Sequence, residues 1–131
     1  MADPCPPHVL FIDDDPASRD LATRILTGSG WTVTAIEAPN LDPQEVARLA
    51  PDALVVDYWF GREPLAMPFL ERLRAVPETA RIPVLLVSAA TFAVAEDRER
   101  IDRLADGVLF KPYAIGDLRG AVARFLAPVP A

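Results

Sequence analysis

Uninterrupted apolar runs of strand length, each closed by a polar residue, leave this chain few folds to choose from. The sharpest is Ala53-Leu54-Val55-Val56-Asp57, opened by Pro51-Asp52. Four apolar residues in a row, with no polar alternation, predict a strand buried on both faces, as in parallel sheets covered by helices. The run ends in an acid, and the turn-forming Gly61 comes only later, so Asp57 has no turn logic of its own. In open α/β sheets, ligands sit outside the carboxyl ends of the strands. Asp57 is therefore either a solvated strand terminator or a group held for chemistry, and the other strand ends decide between the two.

Residues 8–12 are a second apolar run, and they end in Asp13-Asp14-Asp15 before Pro16. Asp15 and Pro16 make a helix start, with the carboxylate as N-cap and proline in the first turn. Asp13 and Asp14 are left without a structural task. The helix carries Leu21, Ala22, Ile25 and Leu26 on one stripe and stops at Gly28-Ser29-Gly30. Residues 31–36 read as a β-branched strand with Trp31 in the core, and Asp42-Pro43 opens a short helix turning Val46, Leu49 and Ala50 inward. The loop 58–64 leads to a helix with Phe69, Leu70 and Leu73, in whose first turn Pro68 must lie. Residues 82–88 are a buried strand ending in Ser88. A charged helix over about 94–104 follows, with Val94, Ile101 and Leu104 apolar. The last strand, 108–110, ends at Lys111-Pro112-Tyr113, and Leu118, Val122, Phe125 and Leu126 line the final helix. Strand and helix alternate throughout, which predicts an α/β domain: a five-stranded parallel sheet with helices on both faces.

The 131 residues fit one domain, expected over 8–126 between a loose arm at 1–7 and a short tail at 127–131. No apolar run is long enough to span a membrane, and no signal sequence opens the chain, so a cytoplasmic protein is expected. A single cysteine, Cys5, gives neither a disulfide framework nor a thiolate metal site. The net charge of −6, with acids and arginines interspersed, argues against direct nucleic-acid binding. Among the 13 basic residues the only lysine is Lys111, a compact ammonium where a planar guanidinium does not substitute.

Four of the predicted strands thus bring a functional group to one edge: Asp13 and Asp14, Asp57, Ser88 and Lys111. Three clustered carboxylates resist ionising together without a cation, and an oxygen-only donor set suits Mg²⁺ rather than zinc. A lysine adds positive charge and a serine can donate to an oxyanion. Such a constellation fits a phosphoryl group, with a carboxylate as its acceptor.

The segments Val-Leu-Phe-Ile-Asp13-Asp14-Asp15-Pro, Pro-Asp-Ala-Leu-Val-Val-Asp57, Ile-Pro-Val-Leu-Leu-Val-Ser88-Ala89 and Leu-Phe-Lys111-Pro112-Tyr113 resemble the response-regulator receiver domains of two-component signalling, in a single-domain form. The resemblance covers about residues 8–126. It implies a flavodoxin-like, doubly wound sheet of strand order 2-1-3-4-5 with five helices. It also implies that Asp57 accepts a phosphoryl group from a histidine kinase or histidine phosphotransfer protein. Mg²⁺ would be held by Asp13, Asp14, Asp57 and the backbone carbonyl of Trp59. Lys111 and Ser88 would contact the phosphoryl oxygens, and the Lys111–Pro112 bond would be cis. Catalysis would extend only to the chain's own aspartyl phosphate, and a downstream protein would dock on the face formed by the fourth helix, fifth strand and fifth helix. The sequence departs from the family where a Met-Pro pair is common (here Phe60 and Gly61), in a loop after Asp57 that is about one residue longer, and where an aromatic switch residue is usual (here Val108). Without that aromatic, the segment 89–93, with Phe92, is the element expected to reorder on phosphorylation.

Two other readings compete. One is a pseudo-receiver that binds a partner without phosphorylation. The other is a haloacid-dehalogenase-type phosphatase built on Asp13-x-Asp15, which wants a threonine where Ala17 stands. His8 has no second imidazole to share a metal with, and the charges of 94–103 read as a solvated helix face.

Overall fold

The computed structural model describes residues 6–89 and 97–126. Most of the expected arm and all of the tail lie outside that range, as do Val94, Phe92 and all but the first residue of the 89–93 segment. Strands β1 (His8–Ile12), β2 (Thr32–Ile36), β3 (Ala53–Asp57), β4 (Val84–Ser88) and β5 (Gly107–Phe110) form one parallel sheet in the order β2-β1-β3-β4-β5. Helices α1 (Pro16–Gly28), α2 (Pro43–Leu49), α3 (Ala66–Arg74), α4 (Arg98–Leu104) and α5 (Ile115–Leu126) connect and follow them. This is the flavodoxin-like architecture expected from the alternation and the resemblance.

The three central strands separate two cores by simple alternation of side chains. Leu10, Ile12, Leu54, Val56 and Leu86 face α2, α3 and α4, meeting Val46, Met67, Phe69, Leu70, Leu73 and Ile101. Val9, Phe11, Val55, Leu85 and Val87 face α1 and α5, meeting Ala22, Ile25, Leu26, Leu118 and Val122. β3 lies at the centre with every residue buried, which is why its sequence shows no polar alternation. The helix starts follow the local chemistry. Asp15 accepts from the Ala17 N–H, and Asp42 and Glu45 form a reciprocal capping box. Pro68 does lie in the first turn of α3.

Several local expectations are corrected. Leu21 is not in the core: α1 buries Ala22, Ile25 and Leu26, and Leu21 lies on the flank at 49% exposure. Ala50 is exposed because it is the left-handed C-cap of α2, at φ 50°, and its N–H turns back to the Val46 and Ala47 carbonyls. Trp31 is only half-buried, just before edge strand β2. β4 begins at Val84, since Pro83 has no N–H for the ladder. His8 has a structural role, its Nδ1 donating to the Leu49 carbonyl at 2.9 Å and its Nε2 sharing a hydrogen bond with the Thr34 hydroxyl at 2.7 Å. A carbonyl oxygen only accepts, which places a proton on Nδ1.

α4 is attached differently from its neighbours. α3 buries five side chains, whereas α4 buries only Ile101. Leu104 packs partly buried on the same core, and polar ties add to these contacts. The Tyr58 hydroxyl donates to Asp97, the N-cap residue, at 2.7 Å; Arg100 pairs with Glu71 at 2.6 Å; and Arg74 donates to the Leu104 carbonyl at 3.0 and 3.1 Å.

Candidate functional site

The register brings the predicted residues to one edge. Ile12 pairs with Val56, Asp57 with Val87, and Ser88 with Phe110, so the strands finish almost level. Backbone bonds continue the ladder past the strand ends. The Asp13 N–H donates to the Ile36 carbonyl at 3.1 Å, Tyr58 to Val87 at 2.7 Å, and Lys111 to Ser88 at 2.9 Å. Asp13, Asp57, Ser88 and Lys111 therefore leave backbone that is tied into the sheet.

At the centre Lys111 bridges two acids. Its Nζ donates to Asp13 Oδ2 at 2.9 Å and to Asp57 Oδ2 at 3.0 Å. The side chain of Asp13 is 2% exposed and that of Asp57 11%. Asp13 is further fixed on both sides: its Oδ1 accepts from the Asp15 N–H, and its backbone carbonyl accepts from the Arg19 guanidinium. Asp14 is exposed, and its Oδ2 accepts from the Gly61 N–H at 3.1 Å. One carboxylate oxygen from each of Asp13, Asp14 and Asp57 lies within 4.8 Å of the other two.

The electrostatics follow from burial and close charge. Burial pushes the Asp57 carboxyl above its ordinary range, and the Asp13 charge adds to this, while the bond and charge of Lys111 oppose it only in part. For Lys111, burial disfavours the ammonium, but its bonds and attraction to Asp13 and Asp57 outweigh it and hold the lysine above its ordinary value. Two buried acids and one ammonium leave net negative charge at the edge, which a hard cation would neutralise.

Ser88 is fully buried at the end of β4. Trp59 is half-buried, packed edge-on against Tyr58 with ring centroids 5.0 Å apart. Lys111–Pro112 is cis. Asp15 is absent from the cluster: its carboxylate accepts from the Ala17 N–H and the Ser18 hydroxyl of its own helix. Those bonds hold its carboxyl below the usual range. Beside Lys111, a groove of about 350 Å³ is lined by Ser18, Leu21, Ala89, Pro112 and Tyr113. Burial raises the Tyr113 phenol above its ordinary value.

Sequence reasoning missed Tyr58 and Gly61. Tyr58 read as part of a loop, yet it is buried and reaches Asp97 across 39 positions. Gly61 read only as a turn former and a departure, yet its N–H holds Asp14. For Gly61 the available signal was the glycine itself, beside an acid cluster with too few donors.

No family model matches the chain. Among curated proteins it is 32% identical over 119 residues to the response regulator MprA of Mycobacterium leprae, a match covering 91% of this chain and 50% of that protein. The chain thus spans about half the length of the curated relatives it matches. Among solved structures, chemotaxis protein CheY4 of Vibrio cholerae superposes with a TM-score of 0.81 at 19% identity, covering 92% of this chain and 99% of that one. The receiver domain of the sensor histidine kinase PA1611 from Pseudomonas aeruginosa, solved with a magnesium ion coordinated in its active-site cleft, superposes at 0.73 with 21% identity, covering 95% and 100%. The sequence matches over nine-tenths of the chain and the shared fold agree: the chain is a response-regulator receiver domain.

Proposed function

We propose that this receiver domain accepts a phosphoryl group on Asp57 from a phosphohistidine of a sensor histidine kinase or histidine phosphotransfer protein, and then signals by protein–protein contact. The observation that carries the reading is the Lys111 ammonium bridging Asp13 and Asp57 at 2.9 and 3.0 Å, with Asp14 beside them. A structural ion pair needs one acid, whereas a second buried acid on the same lysine is costly unless the site is built for added positive charge. The clustered carboxylates fit Mg²⁺, a hard ion taking oxygen ligands, which Asp13, Asp14 and Asp57 would hold together with the Trp59 carbonyl. When bound, that ion supplies charge that neutralises the oxygens of an arriving phosphoryl group.

The chain's own residues do the rest. An Asp57 carboxylate oxygen attacks phosphorus in line. A P–O bond forms, the P–N bond of the phosphohistidine breaks, and its electron pair stays on the imidazole. Lys111 turns its ammonium from the carboxylates onto a phosphoryl oxygen, and the Ser88 hydroxyl donates to another. Asp13, locked by the Asp15 N–H and by Lys111, keeps its charge facing the site. The reaction is confined to the chain's own aspartyl phosphate, in the cytoplasm. The downstream partner would dock on the α4-β5-α5 face, without direct nucleic-acid contact. No helix among the described residues is long and apolar enough to cross a membrane. Asp15, engaged with its own helix, counts against an Asp-x-Asp phosphatase.

The test is labelling with Mg²⁺ and a small phosphodonor such as acetyl phosphate. One acid-stable, base-labile acyl phosphate per chain is expected. It should be absent in Asp57→Asn and strongly slowed by chelation. Undiminished labelling of Asp57→Asn would overturn the assignment. Continuous phosphate release over many turnovers would favour the phosphatase, and no labelling at all a passive interaction module.

A further inference from the structure

We propose that Gly61 is a positioning residue of the acidic site, its N–H holding the Asp14 carboxylate beside Asp13 and Asp57 before any cation arrives. The inference rests on the metal-holding role proposed for Asp14. Asp14 is the exposed member of the three, following a buried acid and lying near a second one. Left to itself, an exposed carboxylate next to two others rotates away into water. What opposes that here is the Gly61 N–H at 3.1 Å from Asp14 Oδ2, 47 positions along the chain.

The donor is aimed by a stiff frame. Phe60 and Glu63 pair as an antiparallel bridge, with Phe60 N–H to the Glu63 carbonyl at 2.9 Å and Glu63 N–H back at 3.2 Å. The Phe60 side chain is buried in the core under α2 and α3, which anchors the turn to the sheet. Gly61 lies at the tip with φ +64°, in the left-handed region where glycine is at home. A Cβ there would meet nothing within 4 Å, so backbone conformation rather than space selects the residue. Phe60-Gly61 is also where the sequence leaves the family's Met-Pro pattern. Proline has no N–H and a fixed negative φ, so it could neither make this turn nor hold Asp14. The departure adds a donor to the site.

The experiment measures Mg²⁺ binding by calorimetry on the full chain, with amide NMR alongside. Gly61→Pro should weaken Mg²⁺ by roughly five- to tenfold, the worth of one hydrogen bond to a partly solvated charge. Gly61→Asn keeps the N–H and tolerates positive φ, and should bind within about twofold of wild type. In an Asp14→Ala background the Gly61→Pro effect should vanish, because the glycine acts through that carboxylate. Independently of any glycine variant, Asp14→Ala should shift the Gly61 amide proton upfield and speed its exchange. Wild-type chain that binds no Mg²⁺ would overturn the functional reading itself. Wild-type binding matched by Gly61→Pro, an asparagine variant as weak as proline, or a Gly61 amide indifferent to Asp14→Ala would each overturn the positioning role alone.

Discussion

Replacing Lys111 with methionine isolates what the bridge does for the metal-free protein. Methionine keeps much of the length and removes the charge. Each Lys111 contact, at 2.9 and 3.0 Å, is worth about 5.5 kcal/mol of gross attraction at an effective dielectric of about 20. Desolvation of two nearly buried carboxylates and a partly buried ammonium cancels most of it. The variant also leaves Asp13 and Asp57 facing each other within 4.8 Å, a repulsion of about 3.5 kcal/mol at the same dielectric. Breaking a buried pair by removing one partner costs about 3–5 kcal/mol, and the open sheet edge lets water in, so the lower end applies. We expect Lys111→Met to lose about 3 kcal/mol at pH 7.5, roughly 10 °C in Tm for a chain of this size. Saturating Mg²⁺ should recover more stability in the variant than in wild type, because the cation then performs the neutralisation alone. The pH dependence has a definite sign. A lysine held above its ordinary 10.5 contributes stability that is complete below that value and lost as pH rises through its elevated folded-state pKa. The gap between the proteins should therefore persist up to pH 10.5 and close above it. Urea titrations with and without Mg²⁺ measure all of this. A loss below about 1 kcal/mol, or an equal Mg²⁺ response in both proteins, would refute the reasoning.

Asp57→Asn should stabilise the metal-free protein at neutral pH. Burial raises the Asp57 carboxyl above its ordinary 3.8, so the folded chain binds that proton more readily than the unfolded chain, and ionised Asp57 costs stability. The gain should shrink as pH falls through the elevated value towards 3.8; urea midpoints across mildly acidic pH decide it, and a gain that grows on acidification would contradict the sign. Tyr58→Phe removes the 2.7 Å bond to Asp97, a charged acceptor that is only half-buried, and should cost about 1.5 kcal/mol. Amide exchange in Arg98–Leu104 should speed by about tenfold if that bond fastens α4, and unchanged exchange there would show that Ile101 and the arginine ties suffice.

The strand core was legible because burial on both faces writes itself into consecutive residues: Leu54-Val55-Val56 and Leu85-Leu86-Val87 have no polar member, as strands of a covered parallel sheet require, and their short length and the alternation with helical segments favour that sheet. Asp13, Asp14, Asp57, Ser88 and Lys111 were legible for a related reason, since parallel strands joined by helices all end at one edge, so successive strand-terminal residues are neighbours whatever their sequence separation. Helix faces were only partly legible. Periodicity placed Ala22, Ile25 and Leu26 inward, but it could not show that Leu21 stays half exposed on the helix flank, or that Ala50 adopts a left-handed cap. What only the tertiary structure decided is which polar atoms meet. Nothing in Tyr58 announces Asp97, nothing in His8 announces Thr34 and Leu49, and Gly61 as a residue type says only that φ is free. Hydrophobic pattern survives in sequence because burial acts on every residue of a face alike. A hydrogen bond instead depends on angstrom-scale placement of two groups brought together by packing, and that placement exists only once the sheet and its two helical layers have closed.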